Sequence, residues 1–230
     1  MKTVGIIGGL GPETTSKFYL EVVFGCQKVD IDNRPSILIQ SVPVPYLIER
    51  EEILNGVCRE EYFQLLINAA KNLERGGADF IVIPCNSLHV FIDELRKSVD
   101  VPIVSIIEVV VKFLVERKIS RIGLLSTPVT RRNKLYEIPL VKNGIICEFP
   151  EGPEQDKINE IILALINGSY GVKEQTALTQ VLDNFQERGV EDILLACTDL
   201  QLAIPATKLK IYDSMSILVQ ATIREILGTR

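Results

Sequence analysis

The sequence has few of the residues that metal sites, disulfide frameworks and nucleic-acid sites require. Its 230 residues include a single histidine, His89, no tryptophan and five cysteines, none of which forms a CxxC pair. A zinc site and a disulfide framework are therefore not predicted, because both need clustered ligands or paired thiols. The formal net charge of −5 argues against nucleic acid or an anionic membrane surface as a partner.

Long apolar runs are also missing. No stretch of about 18 apolar residues occurs, so no membrane-spanning helix is predicted. No charged leader with an apolar stretch and a cleavage site precedes the first strand pattern, and we therefore expect a cytoplasmic protein. The hydrophobic fraction of 47% is enough for one large core or two small ones.

Short apolar runs alternate with helix-like segments along the whole chain. The strand patterns lie at residues 4–7, 36–40, 79–84, 102–105, 121–127, 145–149, 193–196 and 211–214. Pro12 fits the first position of the first helix, and a loop with Pro43 and Pro45 precedes a long helix predicted over residues 59–75. Such alternation is typical of parallel sheets with helices on both faces.

The second half of the chain repeats the order of the first. Residues 121–127 resemble residues 3–9, and the strand that ends at Cys197 resembles the strand that ends at Cys85. We therefore predict an α/β fold of two similar doubly wound parallel-sheet domains related by pseudo-twofold symmetry. Residues 1–100 with 210–230 would form the first domain and residues 101–209 the second. The active site would lie in the cleft between them, beyond the carboxyl ends of the strands.

The two strand-end cysteines are the candidates for chemistry. A cysteine between a strand and a helix has its sulfur near unpaired backbone N–H groups and the positive helix pole, which favours the thiolate. A lone cysteine there usually only fills space, but Cys85 and Cys197 occupy matching places in a repeat. Two thiols facing one small molecule suit inversion of a stereocentre, in which one group removes a proton and the other returns one to the opposite face.

Four motifs together resemble the aspartate/glutamate racemase family over essentially the whole chain. They are Gly8-Gly9-Leu10-Gly11-Pro12, Pro84-Cys85-Asn86-Ser87-Leu88-His89, Leu124-Leu125-Ser126-Thr127 followed by Thr130, and Cys197-Thr198-Asp199. The resemblance implies a racemase of L- and D-aspartate or glutamate without a cofactor, acting as a homodimer. It implies that Cys85 works on the D enantiomer and Cys197 on the L enantiomer. It also implies substrate-binding roles for Gly9, Asn86, Ser87, Ser126, Thr127, Thr130 and Thr198.

The sequence departs from the family where the substrate side chain should bind. Aspartate racemases of the family carry an arginine soon after the second strand, and Leu47 stands there in this chain. Arg50, about one helical turn further on, is the candidate replacement; Arg131 and Arg132 are further candidates, and all three could equally be surface residues. Asp199 takes the place of a family glutamate. His89 could serve either a structural hydrogen bond or proton transfer, and Cys26, Cys58 and Cys147 are predicted to be packing residues.

Other functions stay open at this stage. Hydantoin racemases, maleate isomerases and arylmalonate decarboxylases share the architecture and use one or both cysteines on other small molecules. A catalytically silent ligand-binding or redox-sensing protein is the alternative from a different class. A dinucleotide site is not predicted, because Thr14 stands where the third glycine of the fingerprint would be.

Overall fold

A computed structural model describes residues 1–56 and 59–229. Its strands are β1 (Val4–Gly8), β2 (Ile37–Ser41), β3 (Phe80–Val82), β4 (Ile103–Val104), β5 (Arg121–Ser126), β6 (Ile146–Glu148), β7 (Asp192–Ala196) and β8 (Lys210–Asp213). Its α-helices are α1 (Pro12–Val29), α2 (Tyr46–Asn55), α3 (Arg59–Arg75), α4 (Ile92–Arg96), α5 (Ile106–Glu116), α6 (Pro128–Arg132), α7 (Glu137–Lys142), α8 (Glu154–Ile166), α9 (Val172–Glu187) and α10 (Ser214–Leu227). Two short 3-10 helices follow the cysteines, at Ser87–Phe91 and Leu200–Leu202.

The strands form two parallel sheets with the same internal order. The first sheet runs β2-β1-β3-β4 and the second runs β6-β5-β7-β8. In each sheet the two central strands pair in parallel, with Ile6 opposite Val82 in the first and Ser126 opposite Ala196 in the second. The predicted α/β fold of two similar parallel-sheet units is confirmed. Cys85 and Cys197 follow the equivalent strands β3 and β7.

Successive side chains of each strand point to opposite faces of its sheet, and both faces of each sheet are apolar. One shared core contacts a face of both sheets and takes Val4 and Ile6 from β1 and Leu194 and Ala196 from β7. Buried side chains of α1, α5, α7 and α10 fill it. Ile7 and Ile81 point to the opposite face of the first sheet, which α3 and α4 cover, while α8 and α9 cover the outer face of the second sheet. The sheets are thus joined by apolar packing rather than by a flexible linker.

The strand pairings differ from the predicted domain boundaries. Strand β4, which lies beyond residue 100, pairs with β3 in the first sheet. Strand β8 pairs with β7 in the second sheet, although residues 210–230 were assigned to the first domain. The helix that follows β8 nevertheless packs on α1, and the Lys2 N–H donates to the Ile226 carbonyl at 2.9 Å. The chain therefore crosses between the two halves after β4 and again after β8.

Two helical segments also differ from expectation. Helix α2 occupies a stretch that the sequence indicated only as a proline-punctuated loop. Pro45 precedes its first residue, and Gly56 ends it in the left-handed conformation with φ of 67°, as glycine commonly does after a helix. The single helix expected near residues 132–142 is instead split into α6 and α7.

No helix within the described residues is long and apolar enough to cross a membrane.

Candidate active site

A narrow cavity with a volume of about 20 Å3 lies where the carboxyl ends of the two sheets meet. Both Cys85 and Cys197 line it, so the structure brings together the two thiols that the repeat singled out. Four other predicted site residues line the same cavity: Asn86, Ser87, Thr127 and Thr198. The remaining lining residues are Leu10, Glu49, Glu52, Ile53, Tyr62, Leu88, Val129, Ile162, Ala196 and Asp199.

Cys85 is a half-buried residue and lies two positions before the first 3-10 helix. Its Sγ is 3.5 Å from the Ser87 hydroxyl, and the backbone N–H of Leu88 also points toward it. Both contacts favour the thiolate. Burial has the larger effect and acts the other way, together with the Asp199 and Glu49 carboxylates, and it raises the pKa of Cys85 to about 11.

The Cys197 thiol is buried and has a carboxyl group beside it. Asp199 Oδ2 is 3.8 Å from its Sγ, and Asp199 Oδ1 accepts a hydrogen bond of 2.5 Å from the Thr14 hydroxyl. Burial, with the Asp199 charge as the next cause, raises the pKa of Cys197 well above its usual range. Burial likewise raises the pKa of Asp199.

The sequence argument favours thiolates, whereas burial shifts the pKa of both cysteines in the opposite direction. That argument included the stabilisation of a thiolate by helix ends and backbone N–H groups, and these contacts are present in the structure. It could not include the desolvation of the two sulfurs, which depends on the tertiary structure. Desolvation penalises a charged sulfur more than two backbone donors stabilise it. Burial therefore favours the thiol form of both cysteines.

Hydrogen bonds tie the Cys85 loop to three later parts of the chain. The Asn86 amide nitrogen donates to the Ser214 hydroxyl at 3.0 Å, and its amide oxygen accepts from the Tyr136 hydroxyl at 2.5 Å. In the other direction, the Thr198 hydroxyl donates to the Pro84 carbonyl at 3.2 Å. Asn86 is only 2% exposed. Its side chain ties the Cys85 loop to Tyr136 and to the start of α10, a role that its place beside Cys85 in the sequence did not reveal.

Besides Arg50, three predicted binding residues lie outside this cavity. Thr130 and Ser126 line a smaller neighbouring pocket, and the Thr130 N–H and hydroxyl form hydrogen bonds with the Thr127 hydroxyl that caps α6. Gly9 has φ of +84°, and a Cβ there would lie 2.8 Å from the Val42 backbone nitrogen. Glycine is therefore required at position 9 by the turn between β1 and α1.

None of the candidate arginines reaches the cavity. Arg50 is exposed and pairs with Glu51 at 3.5 Å. Arg131 stacks over the Phe149 ring and lines the smaller pocket, and Arg132 donates to the Leu54 carbonyl at 2.7 Å. Leu47 is 68% exposed. Arg50 is thus not placed where it could hold a substrate carboxylate in this cavity.

The structure assigns His89 a structural position. Its Nε2 accepts the Ile106 N–H at 3.1 Å, so Nδ1 carries the proton and donates to the Cys85 carbonyl at 2.9 Å. Burial lowers the pKa of His89 to about 4. Both ring nitrogens are hydrogen-bonded to backbone groups, and the neutral imidazole thereby connects the Cys85 loop to the start of α5.

We expect His89→Ala to lower the free energy of unfolding by roughly 2–4 kcal/mol at pH 7.5, because two buried backbone groups lose their partners. The lowered pKa means that the contribution of His89 is complete above pH 6.5 and is lost as the pH falls toward 4. The difference between wild type and variant should therefore shrink by on the order of 2 kcal/mol at pH 5. Urea unfolding at both pH values measures this, and an equal difference at both would contradict it.

Sequence reasoning missed the acidic wall of the cavity. Glu49 and Glu52 lie three residues apart on α2, and Tyr62 lies on α3. The signal was present as Glu49, Glu52 and Ile53 at helical spacing, but Pro43 and Pro45 just before them indicated a loop. Of the other cysteines, Cys26 is fully buried in the shared core and Cys147 is partly buried on β6, while Cys58 lies outside the described residues.

Within the parts of the chain that the structure describes, no group of three or more histidine, cysteine, aspartate or glutamate side chains is arranged to hold a metal ion.

The fold and the cavity define a class of two-sheet α/β proteins in which each sheet contributes one cysteine to a common site. The model of the family described as Asp/Glu/hydantoin racemase matches residues 7–222. The chain belongs to this family, as its motifs predicted.

Relatives of known name span nearly the whole chain. The broad specificity amino-acid racemase RacX of Bacillus subtilis (strain 168) is 29% identical over 232 residues, which cover 98% of each chain. An aspartate racemase homologue from Pyrococcus horikoshii OT3 is 30% identical, with a TM-score of 0.78 over 99% of this chain and 100% of that one. Picrophilus torridus aspartate racemase, at 24% identity, shares the fold with a TM-score of 0.81, over 100% of this chain and 96% of that one.

Proposed function

We propose that this protein is a cofactor-independent amino-acid racemase in which Cys85 and Cys197 exchange the α-proton of the substrate. The observation that carries the proposal is that the two thiols, delivered by equivalent strands of two matching sheets, line one cavity. Two groups on opposite faces of a carbon are what a two-base inversion needs. The name of the Bacillus subtilis relative, a broad specificity amino-acid racemase, supports the reaction class.

In the proposed reaction one cysteine must enter as thiolate. It takes the α-proton, the electron pair of the C–H bond stays on Cα, and the thiol on the other face delivers its proton there. The first cysteine ends as thiol and the second as thiolate, so the reverse direction uses the same groups with exchanged roles. Hydrogen-bond donors on the α-carboxylate would stabilise the carbanion, and Ser87 and Thr127 line the cavity where they could supply them.

We assign Asp199 a part in setting the protonation of Cys197. Its carboxyl group is held by the Thr14 hydroxyl and accepts a hydrogen bond from the Cys197 thiol. A carboxylate there can accept the thiol proton when the substrate ammonium enters, or return it afterwards. A matched substitution, Asp199→Asn, keeps the size and the Thr14 contact and removes this capacity.

The test is a chiral assay of the purified protein without added pyridoxal phosphate or metal. Both enantiomers of acidic, neutral and basic amino acids are incubated separately, and hydantoins, maleate and an arylmalonate are included because related enzymes act on them. Formation of the opposite enantiomer of any amino acid supports the proposal. Turnover confined to hydantoins, maleate or the arylmalonate, or ligand binding without any turnover, would contradict it.

We also propose the homodimer that the family resemblance implies. Light scattering coupled to gel filtration should then give twice the 25.7 kDa mass of the chain. A mass equal to one chain at the concentration of the activity assay would contradict the dimer and leave the proposed reaction standing.

A further inference from the structure

The first turn of helix α1 binds a carboxyl group that comes from the other half of the protein. Thr14 lies in this turn and is fully buried. Its hydroxyl donates a hydrogen bond of 2.5 Å to Asp199 Oδ1, although the two residues are 185 positions apart in the chain. Helix α1 follows a strand of the first sheet, and Asp199 follows a strand of the second. The hydrogen bond therefore connects the two halves beside the cavity.

Gly11 leaves the space that this carboxyl group occupies. A Cβ at position 11 would lie 2.7 Å from Asp199 Oδ1, and the backbone φ of Gly11 is +57°. A larger residue would strain the turn and would also push the carboxyl group away from Thr14. The glycine-rich motif at residues 8–12 is thus shaped around Asp199 as well as around the turn into α1.

The second oxygen of the same carboxyl group faces a reacting thiol. The Cys197 thiol donates to Asp199 Oδ2 at 3.8 Å. Because Oδ1 is held by Thr14, rotation of the carboxyl group would break that hydrogen bond, and Oδ2 stays turned toward the sulfur. Thr14 therefore acts on Cys197 without touching it, through two successive hydrogen bonds.

The hydrogen bond from Thr14 also counteracts the surroundings of Asp199. Burial raises the pKa of Asp199, whereas the Thr14 hydrogen bond, the next largest effect, lowers it. The titratable groups that face Asp199, the Cys197 thiol or the cavity in the described chain are Glu13, Glu49, Glu52, Tyr62, Cys85 and Cys197. None of these groups can carry a positive charge, so the Thr14 hydroxyl stabilises the carboxylate where no cation among them does.

We propose that Thr14 is a positioning residue for proton transfer at Cys197, because it holds the Asp199 carboxyl group with one oxygen turned to the Cys197 thiol. This inference rests on the proposed racemase function and on the part given there to Asp199. The hydrogen bonds of the Cys85 sulfur involve Ser87 and Leu88 instead. Thr14 therefore serves one of the two thiols and not the other.

The proton transfer concerned precedes the attack on the substrate. The S–H bond of Cys197 breaks, its proton passes to Asp199 Oδ2, and the electron pair stays on the sulfur. The resulting thiolate takes the α-proton, and the Cys85 thiol supplies the proton to the other face. The proton on Asp199 afterwards passes through solvent to the Cys85 thiolate, which restores the starting state.

The deciding experiment measures the two half-reactions separately. In Cys85→Ser, exchange of the α-hydrogen in deuterium oxide depends on Cys197, and in Cys197→Ser it depends on Cys85. Thr14→Val keeps the size of the side chain and removes the hydroxyl. We expect it to slow exchange by Cys197 roughly 10- to 100-fold, as the loss of a hydrogen bond to a charged group does, and to change exchange by Cys85 less than about twofold. Equal slowing of both exchanges, or slowing of neither, would overturn the inference.

Further variants separate positioning from packing. Thr14→Ser retains the hydroxyl and should restore most of the exchange by Cys197. Ser16→Ala, on the same helix, removes an exposed hydroxyl that donates to the Pro12 carbonyl and is the matched control. In an Asp199→Asn protein, Thr14→Val should cause no further loss, because Thr14 acts through that carboxyl group; a full additive loss would contradict this. Melting temperatures show whether each variant folds, and Thr14→Ala repeats the test should Thr14→Val not fold.

A titration without substrate separates this inference from the proposed function. The thiolate absorbance of Cys197 is the difference between Cys85→Ser proteins that have and lack this thiol. Burial and then the Asp199 charge raise the pKa of Cys197. Releasing the carboxylate in Thr14→Val should lower that pKa, so the thiolate should appear at a lower pH. An unchanged titration would overturn the inference even if amino acids are racemised. Should no amino acid be turned over, the proposed function fails, and the titration still decides whether Thr14 governs this thiol.

Discussion

Replacing Cys85 by serine is expected to reduce racemisation of any accepted amino acid by about 10³-fold, and replacing Cys197 is expected to do the same. Removing a positioned acid or base costs about 10²–10⁴ in rate, and a serine hydroxyl ionises far less readily than a thiol. Since each thiol serves one face of the substrate, the loss of either stops inversion in both directions. Chiral chromatography of each variant with each enantiomer measures the effect.

Exchange of the α-hydrogen in deuterium oxide separates the two half-reactions. A protein with one thiol can still remove a proton and return a deuteron to the same face. With the roles that the family resemblance implies, Cys85→Ser should exchange the L enantiomer and Cys197→Ser the D enantiomer, both without inversion. Cys147→Ser, which removes a partly buried thiol on β6, is the matched control. Full racemisation by either cavity variant would exclude the two-thiol mechanism.

Activity is expected to rise steeply with pH. The pKa of Cys85 is raised to about 11 and that of Cys197 well above its usual range, so only a small fraction of either thiol is ionised near neutrality. With a raised pKa the thiolate population grows as the pH increases toward the pKa. For a neutral amino acid, kcat/KM should therefore increase about tenfold for each pH unit between 7.5 and 9.

Two measurements check this rise. The pH profile of kcat/KM reports the free enzyme, and the ultraviolet absorbance of the thiolate follows ionisation directly. A Cys147→Ser background removes the signal of one other thiol. A plateau of kcat/KM below pH 8 would mean that a group in the cavity lowers a cysteine pKa, and it would contradict the dominance of burial described above.

Much of this fold followed from the sequence because the pattern that encodes it is local. Apolar runs of strand length alternate with helical segments, and this fixes parallel sheets. The repeated order predicts that Cys85 and Cys197 leave equivalent strands. Since carboxyl ends of parallel strands share one edge, the meeting of the two thiols was foreseeable.

Domain and element boundaries were harder to predict from the sequence where short segments cross between the two halves of the protein. Strand β4 has two residues, and its pairing with β3 depends on which sheet its backbone reaches rather than on its composition. Helix α2 was missed because Pro43 and Pro45 stand just before it, although Gly56 ends it as a helix terminator should. Both features depend on tertiary contacts, and the hydrophobic periodicity of the sequence carries no information about them.

The sequence alone determined the architecture, the family and the pair of cysteines. Only the tertiary structure decided the environment of that pair. It placed Arg50 in solvent and Glu49 with Glu52 in the cavity, it engaged both nitrogens of His89, and it buried the thiols, which favours their protonated form. The physical reason is the same in each case. Periodicity reports which side chains avoid water, whereas the pKa of a group and its choice of ligand depend on charges and desolvation contributed by residues distant in the chain.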